Sequence, residues 1–390
     1  MQLILVGLRR IDYVYYGFEF ELQGQGFAGR MNLSSMWFGH RMMGTEVAPQ
    51  YLYLILDDWE YGYSFREVDL SSDESGWHQP GRVVIGDIMR ETASYLPCSF
   101  FHLPAQRGKP WHFSAIGSKI LAMPPRGEQD GLDPGSGCLD VLTRAVTYVP
   151  RHTDEHRPIY FHIGNRLFML GMSSFQYLDL LKGNQQLPWC DLPKPPFDSY
   201  CATAHAVHPH KRTIFVSVGL LFPNATFSFH MTEDGRSSAW KHVGDWILPF
   251  QGQAYFDHKL NTWIGLSMHG DERGHIFSCD LEPAITGRRP DVKYAHEYLF
   301  SSNPNEAHRG ATLVCMGHES KYCLVECVSI CYLKRADQEA YFRHMFRLTT
   351  FFLGYNETGD LTTGHLRVRY YFAPKDVTSF ACQLPVVFSM

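Results

Sequence analysis

The chain has 390 residues, of which 45% are apolar, and a formal charge of -5. It is long enough for one large repeat domain or two ordinary ones, and apolar enough to fill a sizeable core. Without a concentrated basic excess it gives no reason to expect nucleic acid or a membrane surface as a partner.

The opening "MQLILVGLRR" places a short apolar run before its arginines, the reverse of a secretory signal. No apolar stretch approaches the roughly 18 residues of a membrane span. An intracellular protein, cytoplasmic or nuclear, is expected. Ten scattered cysteines suit buried reduced thiols better than a disulfide framework, and the sequons at Asn32, Asn224 and Asn356 then receive no glycan. Residues 1–48 form an N-terminal extension. Its glycine-rich stretch Gly17–Gly29 lacks the strand-turn-helix setting of a phosphate loop.

From Tyr51 onward the chain is strand-like. "YLYLILDD" at Tyr51, "YSFREVDL" at Tyr63, "TIFVSV" at Thr213, "ATFSFHM" at Ala225 and "KYCLVECV" at Lys321 are rich in aromatic and β-branched residues and bounded by turn formers. One phrase recurs. "AIGSKILAM" at Ala115 returns as "HIGNRLFML" at His162 and, without its glycine, as "HPHKRTIFVSV" at His208. Aligning the apolar runs places Leu121, Phe168, Phe215, Trp263 and Tyr322 at steps of 47, 47, 48 and 59 residues. A period of about 40–50 residues belongs to β-propeller blades. Proline-containing stops at Pro104, Pro150, Phe197 and Phe250 keep the same rhythm, because proline cannot donate to a ladder and ends an edge strand.

The expected fold is therefore all-β, a six-bladed propeller of four-stranded blades spanning 49–375, followed by a tail at 376–390. The blades fall near 49–104, 105–150, 151–198, 199–250, 251–300 and 301–372. A closed propeller needs its last sheet stitched from the other end of the chain. Leu3–Leu8 or the strand around Arg367–Phe372 is the expected stitch.

Trp, then Leu-Pro, then a spacer and Gly-x-x-apolar-aromatic-apolar resembles a kelch repeat, with "AMPP", "LGMS" and "SVGL" standing where kelch blades carry a double glycine. The stretch Tyr51–Phe372 is similar to an uncharacterised family of grass proteins with divergent kelch-like or F-box-associated repeats. Phrases such as "LYLILDDWEYGYSFREVDL", "WILPFQGQAYFD" and "GATLVCMGHESKYCLVE" carry that likeness. The resemblance implies a propeller and no assigned activity.

The reactive constellations are weak. Cys315, His318, Cys323, Cys327 and Cys331 invite zinc, yet Cys323, Cys327 and Cys331 are four apart in a β-rich run. The outer two of these then lie far apart at about 3.3 Å per residue, against the short knuckles of structural zinc sites. His205, His208 and His210 surround a turn, and His269 to His275 a loop tip; no metal is assigned to either. Nucleophile-elbow, Walker and zincin motifs are absent, and adjacent acids such as Asp57-Asp58 point to opposite faces of a strand. Trp189, Trp240, Trp246 and Trp263 are expected to pack between sheets, and any on loop tips to anchor a partner.

No catalytic residue, cofactor or metal is assigned, and the oligomeric state is left open. The leading expectation is a non-enzymatic protein-interaction scaffold whose partner binds at connections: Arg126–Gly137, Gly219–Asn224, Met268–Gly274 and Ser301–Arg309. The alternatives are the substrate-recognition part of a ubiquitin-ligase adaptor and an enzyme with its site in the propeller channel.

Overall fold

The computed structural model describes residues 4–10, 13–19, 50–58, 62–71, 77, 93–105, 110–124, 136–152, 158–172, 174–180, 188–208, 210, 212–219, 223–232, 239–267, 270–280, 282–317, 319–333, 340–378 and 382–390. The chain divides into two compact units, Met1–Val47 and Ala48–Met390. In the first, β1 (Ile4–Arg10) and β2 (Tyr13–Glu19) form an antiparallel hairpin.

The second unit repeats one motif. Strands β3 (Tyr51–Asp58), β4 (Gly62–Asp69), the short β5 (Ser94–Tyr95) and β6 (Ser99–Leu103) come first. Four successive antiparallel meanders follow: β7–β10 (His112–Ile116, Lys119–Met123, Ser136–Asp140, Val146–Val149), β11–β14 (Ile159–Ile163, Arg166–Leu170, Phe175–Asp179, Cys190–Asp191), β15–β18 (Ala202–His208, Thr213–Val218, Ala225–His230, Trp240–Gly244) and β19–β22 (Gly252–Asp257, Thr262–Leu266, His275–Cys279, Val292–Tyr298). A longer meander, β23–β26 (Glu306–Cys315, Lys321–Leu333, Ala340–Tyr355, Leu361–Phe372), adds β5 in parallel at its outer edge. The last strand, β27 (Val386–Ser389), pairs antiparallel with β3, so the first sheet runs β27-β3-β4-β6. The strand added to the first sheet comes from neither Leu3–Leu8 nor Arg367–Phe372. Of the former, Ile4–Leu8 pairs with β2, Leu3 lying outside the described residues, and the latter belongs to β26.

The repeated apolar run is the second strand of each meander, not the first. Leu121, Phe168, Phe215, Trp263 and Tyr322 all lie there and are at most 1% exposed. Such a strand is apolar on both faces because it is covered on both. Side chains alternate across the sheet, so Ile120 enters a core with Tyr53 and Phe65, whereas Leu121 enters one with Leu167. The same alternation continues: Phe168 packs with Ile214 and Phe229, Phe215 with Trp263 and Phe277, Ile264 with Tyr322 and Phe351, and Cys323 with Leu52 and Leu54 of the first sheet. Each of these large side chains gains about 1.5–3 kcal/mol by leaving water.

The turn before the second strand recurs as well. Gly117 and Gly164 take φ +57° as the first residue of two-residue hairpin loops, a conformation that costs glycine nothing. In the next three meanders the residue immediately before the strand, Arg212, Asn261 or Ser320, is left-handed instead. First strands of successive meanders neighbour one another: β7 with β11, β11 with β15 and β15 with β19. Ala204–Ala206 and Gly252–Ala254 even form a parallel ladder.

Candidate functional site

The outer strands and the links between meanders build a groove between the third and fourth sheets. Proline fixes the link: in Lys194-Pro195-Pro196-Phe197-Asp198 two residues lack N–H donors and hold φ near -65°. This extended link ends in a short 3-10 turn, Ser199–Cys201, that leads into β15. Opposite it stand Val218, Pro223, Ala225 and Phe227 on and before β17, with His242 on β18 and Met172 at one end. The space they enclose is about 710 Å³, within the range of ligand pockets.

Its apolar floor is set by ring packing. Phe197 lies 4.9 Å from Phe227 and 5.2 Å, edge-on, from Trp240; Phe227 meets His242 edge-on at 5.4 Å. Trp240 packs further on Phe175 and Phe229 and donates its indole N–H to the Pro193 carbonyl at 3.1 Å. The proline link is thereby held against the sheet. The lining carries charge in Lys194 and Asp198, and His242 lies 3.0 Å from Asp245. Met172, 42% exposed, gives the mouth an apolar lip.

Of the connections singled out in the sequence, Gly219–Asn224 borders this groove through Pro223, although residues 220–222 lie outside the described residues. Most of Arg126–Gly137 lies outside them too, as do Met268, His269 and His318. Ser301–Arg309 is anchored through Ser301, Glu306 and His308, while Ser302, Pro304, Asn305, Ala307 and Arg309 stay exposed. Glu326, fully buried on β24, accepts hydrogen bonds from the Ser301 backbone N–H (2.9 Å) and Arg347 (3.1 Å), and its other oxygen lies 2.8 Å from His308 Nδ1.

Of the three histidines His205 separates, while the rings of His208 and His210 stay together, edge-on at 6.2 Å. His205 lies near Phe161, and burial pushes its pKa down to about 4. His208 is stacked on Phe256 and meets Trp263 edge-on at 4.9 Å. His210 reaches His258, its counterpart 48 residues on, at 3.2 Å. Cys323, Cys327 and Cys331 are strung along β24, the first two buried and the third exposed. In the sequence "LPKPPF" marks a strand stop at Phe197, and the groove it walls emerges only when β17 and β18 pack opposite it. Two adjacent prolines beside an aromatic residue were the available signal.

An all-β chain of repeated four-stranded sheets with an apolar side groove has the architecture of propeller-like proteins. The chain belongs to the family described as protein of unknown function (DUF1668), which matches residues 49–371. No curated protein matches it. Among solved structures it is similar to the periplasmic gluconolactonase PpgL of Pseudomonas aeruginosa, at 9% identity over 84% of this chain and 100% of that one, with a TM-score of 0.39. It is also similar to a quinonprotein alcohol dehydrogenase-like protein from Bacteroides thetaiotaomicron, at 9% identity over 83% of this chain and 78% of that one, with a TM-score of 0.35. Likeness at this level transfers no activity. Among the described residues no helix is long and apolar enough to cross a membrane.

Proposed function

We propose that Ala48–Met390 is a closed six-bladed, kelch-like propeller that acts as a non-enzymatic protein-interaction scaffold inside the cell, and that its side groove seats an extended apolar segment of a partner. The observation that carries this reading is the cyclic order of the apolar cores. They join the first sheet to the second, each sheet to the next, and the sixth back to the first through Leu52, Leu54, Cys323 and Val325. The chain thus invests its apolar side chains in a rigid frame, and function is left to what the frame displays. The groove supports the rest: its proline wall and Phe227 floor offer apolar contact to an extended segment.

The test is a photoreactive residue placed at Met172, with a second copy placed at Tyr148, which is 58% exposed on the second sheet. In extracts of the native source, the Met172 position is expected to cross-link one protein that the Tyr148 position does not. Lys194→Glu is expected to weaken that capture about tenfold. Identical cross-link patterns from both positions would refute the groove as the seat.

A further inference from the structure

Three metal-binding side chains converge far from the groove, on the face where the end of the chain meets the sixth sheet. Cys327 lies mid-strand in β24. The register places Ser329 opposite His344 and Cys327 opposite Phe346, so Cys327 and His344 are diagonal neighbours on one face of the sheet, within reach of each other's side chains. Cys382 arrives from the turn that precedes β27. It approaches closely because Gly310, paired with Cys327 on β23, has no side chain; a Cβ there would come to 2.9 Å from the Cys382 carbonyl and clash with that of Gln383.

The result is that the sulfurs of Cys327 and Cys382 and a ring nitrogen of His344 all lie within 4.8 Å of one another. Both cysteines are at most 1% exposed. The Nδ1 of His344 is sealed from solvent with no hydrogen-bond partner, an arrangement that costs free energy unless something binds there. The two thiols face each other: the hydrogen bond with Cys382 and burial push the Cys327 thiol up, while the bond to Cys327 holds the Cys382 thiol below its ordinary value.

We propose that Cys327, His344 and Cys382 form a zinc site. Two thiolates and one imidazole are the borderline-soft donors that zinc selects. With bonds of about 2.3 Å to sulfur and about 2.0 Å to nitrogen, ligands of a tetrahedral ion sit roughly 3.4–3.8 Å apart, so the three donors close in by little more than an ångström. The chain supplies three of the four ligands, and a water molecule brought in with the ion completes the set. The ion joins β24 and β25 to the segment leading into β27, and so clamps the strand that completes the first sheet. This site is independent of the groove.

The full chain, purified without added metal, is assayed for zinc and titrated with Co²⁺. One zinc per chain is expected, and Co²⁺ is expected to give thiolate charge-transfer and tetrahedral d–d absorption. Chelation lowers Tm by roughly 5 °C. Cys382→Ser and His344→Ala each weaken Co²⁺ binding tenfold or more, whereas Cys331→Ser, at an exposed cysteine of the same strand, leaves it unchanged. The proposal is overturned if the wild-type chain takes up neither metal while all ten thiols stay free. It also falls if two thiols are missing through a Cys327–Cys382 disulfide, or if Cys382→Ser and His344→Ala bind Co²⁺ as the wild type does.

Discussion

Trp240 on the fourth sheet donates its indole N–H to the carbonyl of Pro193, which ends the third, at 3.1 Å, and Trp189 makes the same bond to Pro150 one repeat earlier at 2.7 Å. Each outer strand is thus latched to the proline stop of the sheet before it. Trp240→Phe loses the bond and the five-membered half of the indole but keeps a six-membered ring, and is expected to cost about 1–3 kcal/mol. Trp240→Ala also empties the space among Phe175, Phe197 and Phe229 and is expected to cost about 3–5 kcal/mol. Urea unfolding of both variants separates the two contributions, and equal losses would deny the latch its bond.

The repeat was legible because a strand covered on both faces must be apolar throughout, so Leu121, Phe168, Phe215 and Trp263 return at almost even steps whatever the loops do. The strand that completes the first sheet was not. Val386–Ser389 is four residues long, carries no turn signal of its own, and gains meaning only from β3, more than 300 residues earlier. The zinc ligands escaped for the same reason: the sequence shows Cys327 beside Cys323 and Cys331, while Cys382 is brought in by Gly310, whose lack of a side chain matters only once the turn lies over it. The groove's rings lie in three separate strand and link segments, and only packing unites them.

Glu326 is the centre of a buried polar knot, with Arg347 also donating to the Leu299 carbonyl at 2.6 Å. Removing one partner strands the other charge. Glu326→Ala is expected to cost about 3–5 kcal/mol, and Glu326→Leu combined with Arg347→Leu is expected to cost less than the sum of the single changes. Chemical denaturation of the full cycle checks this; additive losses would mean the two side chains do not interact.

Strand β27 lays Val387 in a core shared by residues of the first and sixth sheets. Val387→Asp puts a charge into that core, and truncation after Pro385 bares the edge of β3. Both are expected to lower Tm, and truncation also to promote association through the exposed edge. Differential scanning fluorimetry with light scattering reads both effects. A truncated chain that stays monomeric with an unchanged Tm would remove β27 from the account of stability.

His205 sets a pH dependence whose sign follows from its surroundings. Its Nε2 is sealed from solvent without a partner, and burial holds its pKa near 4 instead of 6.5. Above pH 6.5 the imidazole is neutral in both the folded and the unfolded chain and has no effect. Between 6.5 and 4 the unfolded chain takes up a proton that the folded chain refuses, so stability falls with falling pH at up to about 1.4 kcal/mol per unit. The loss is complete once the pH passes the folded value, at no more than about 3 kcal/mol. His205→Leu, against the ring of Phe161, removes the titrating group, so its stability is expected to vary less between pH 6.5 and 4 than that of the wild type. Parallel denaturant titrations at several pH values measure both slopes, and identical slopes would show that His205 protonates as readily in the folded chain as in the unfolded one.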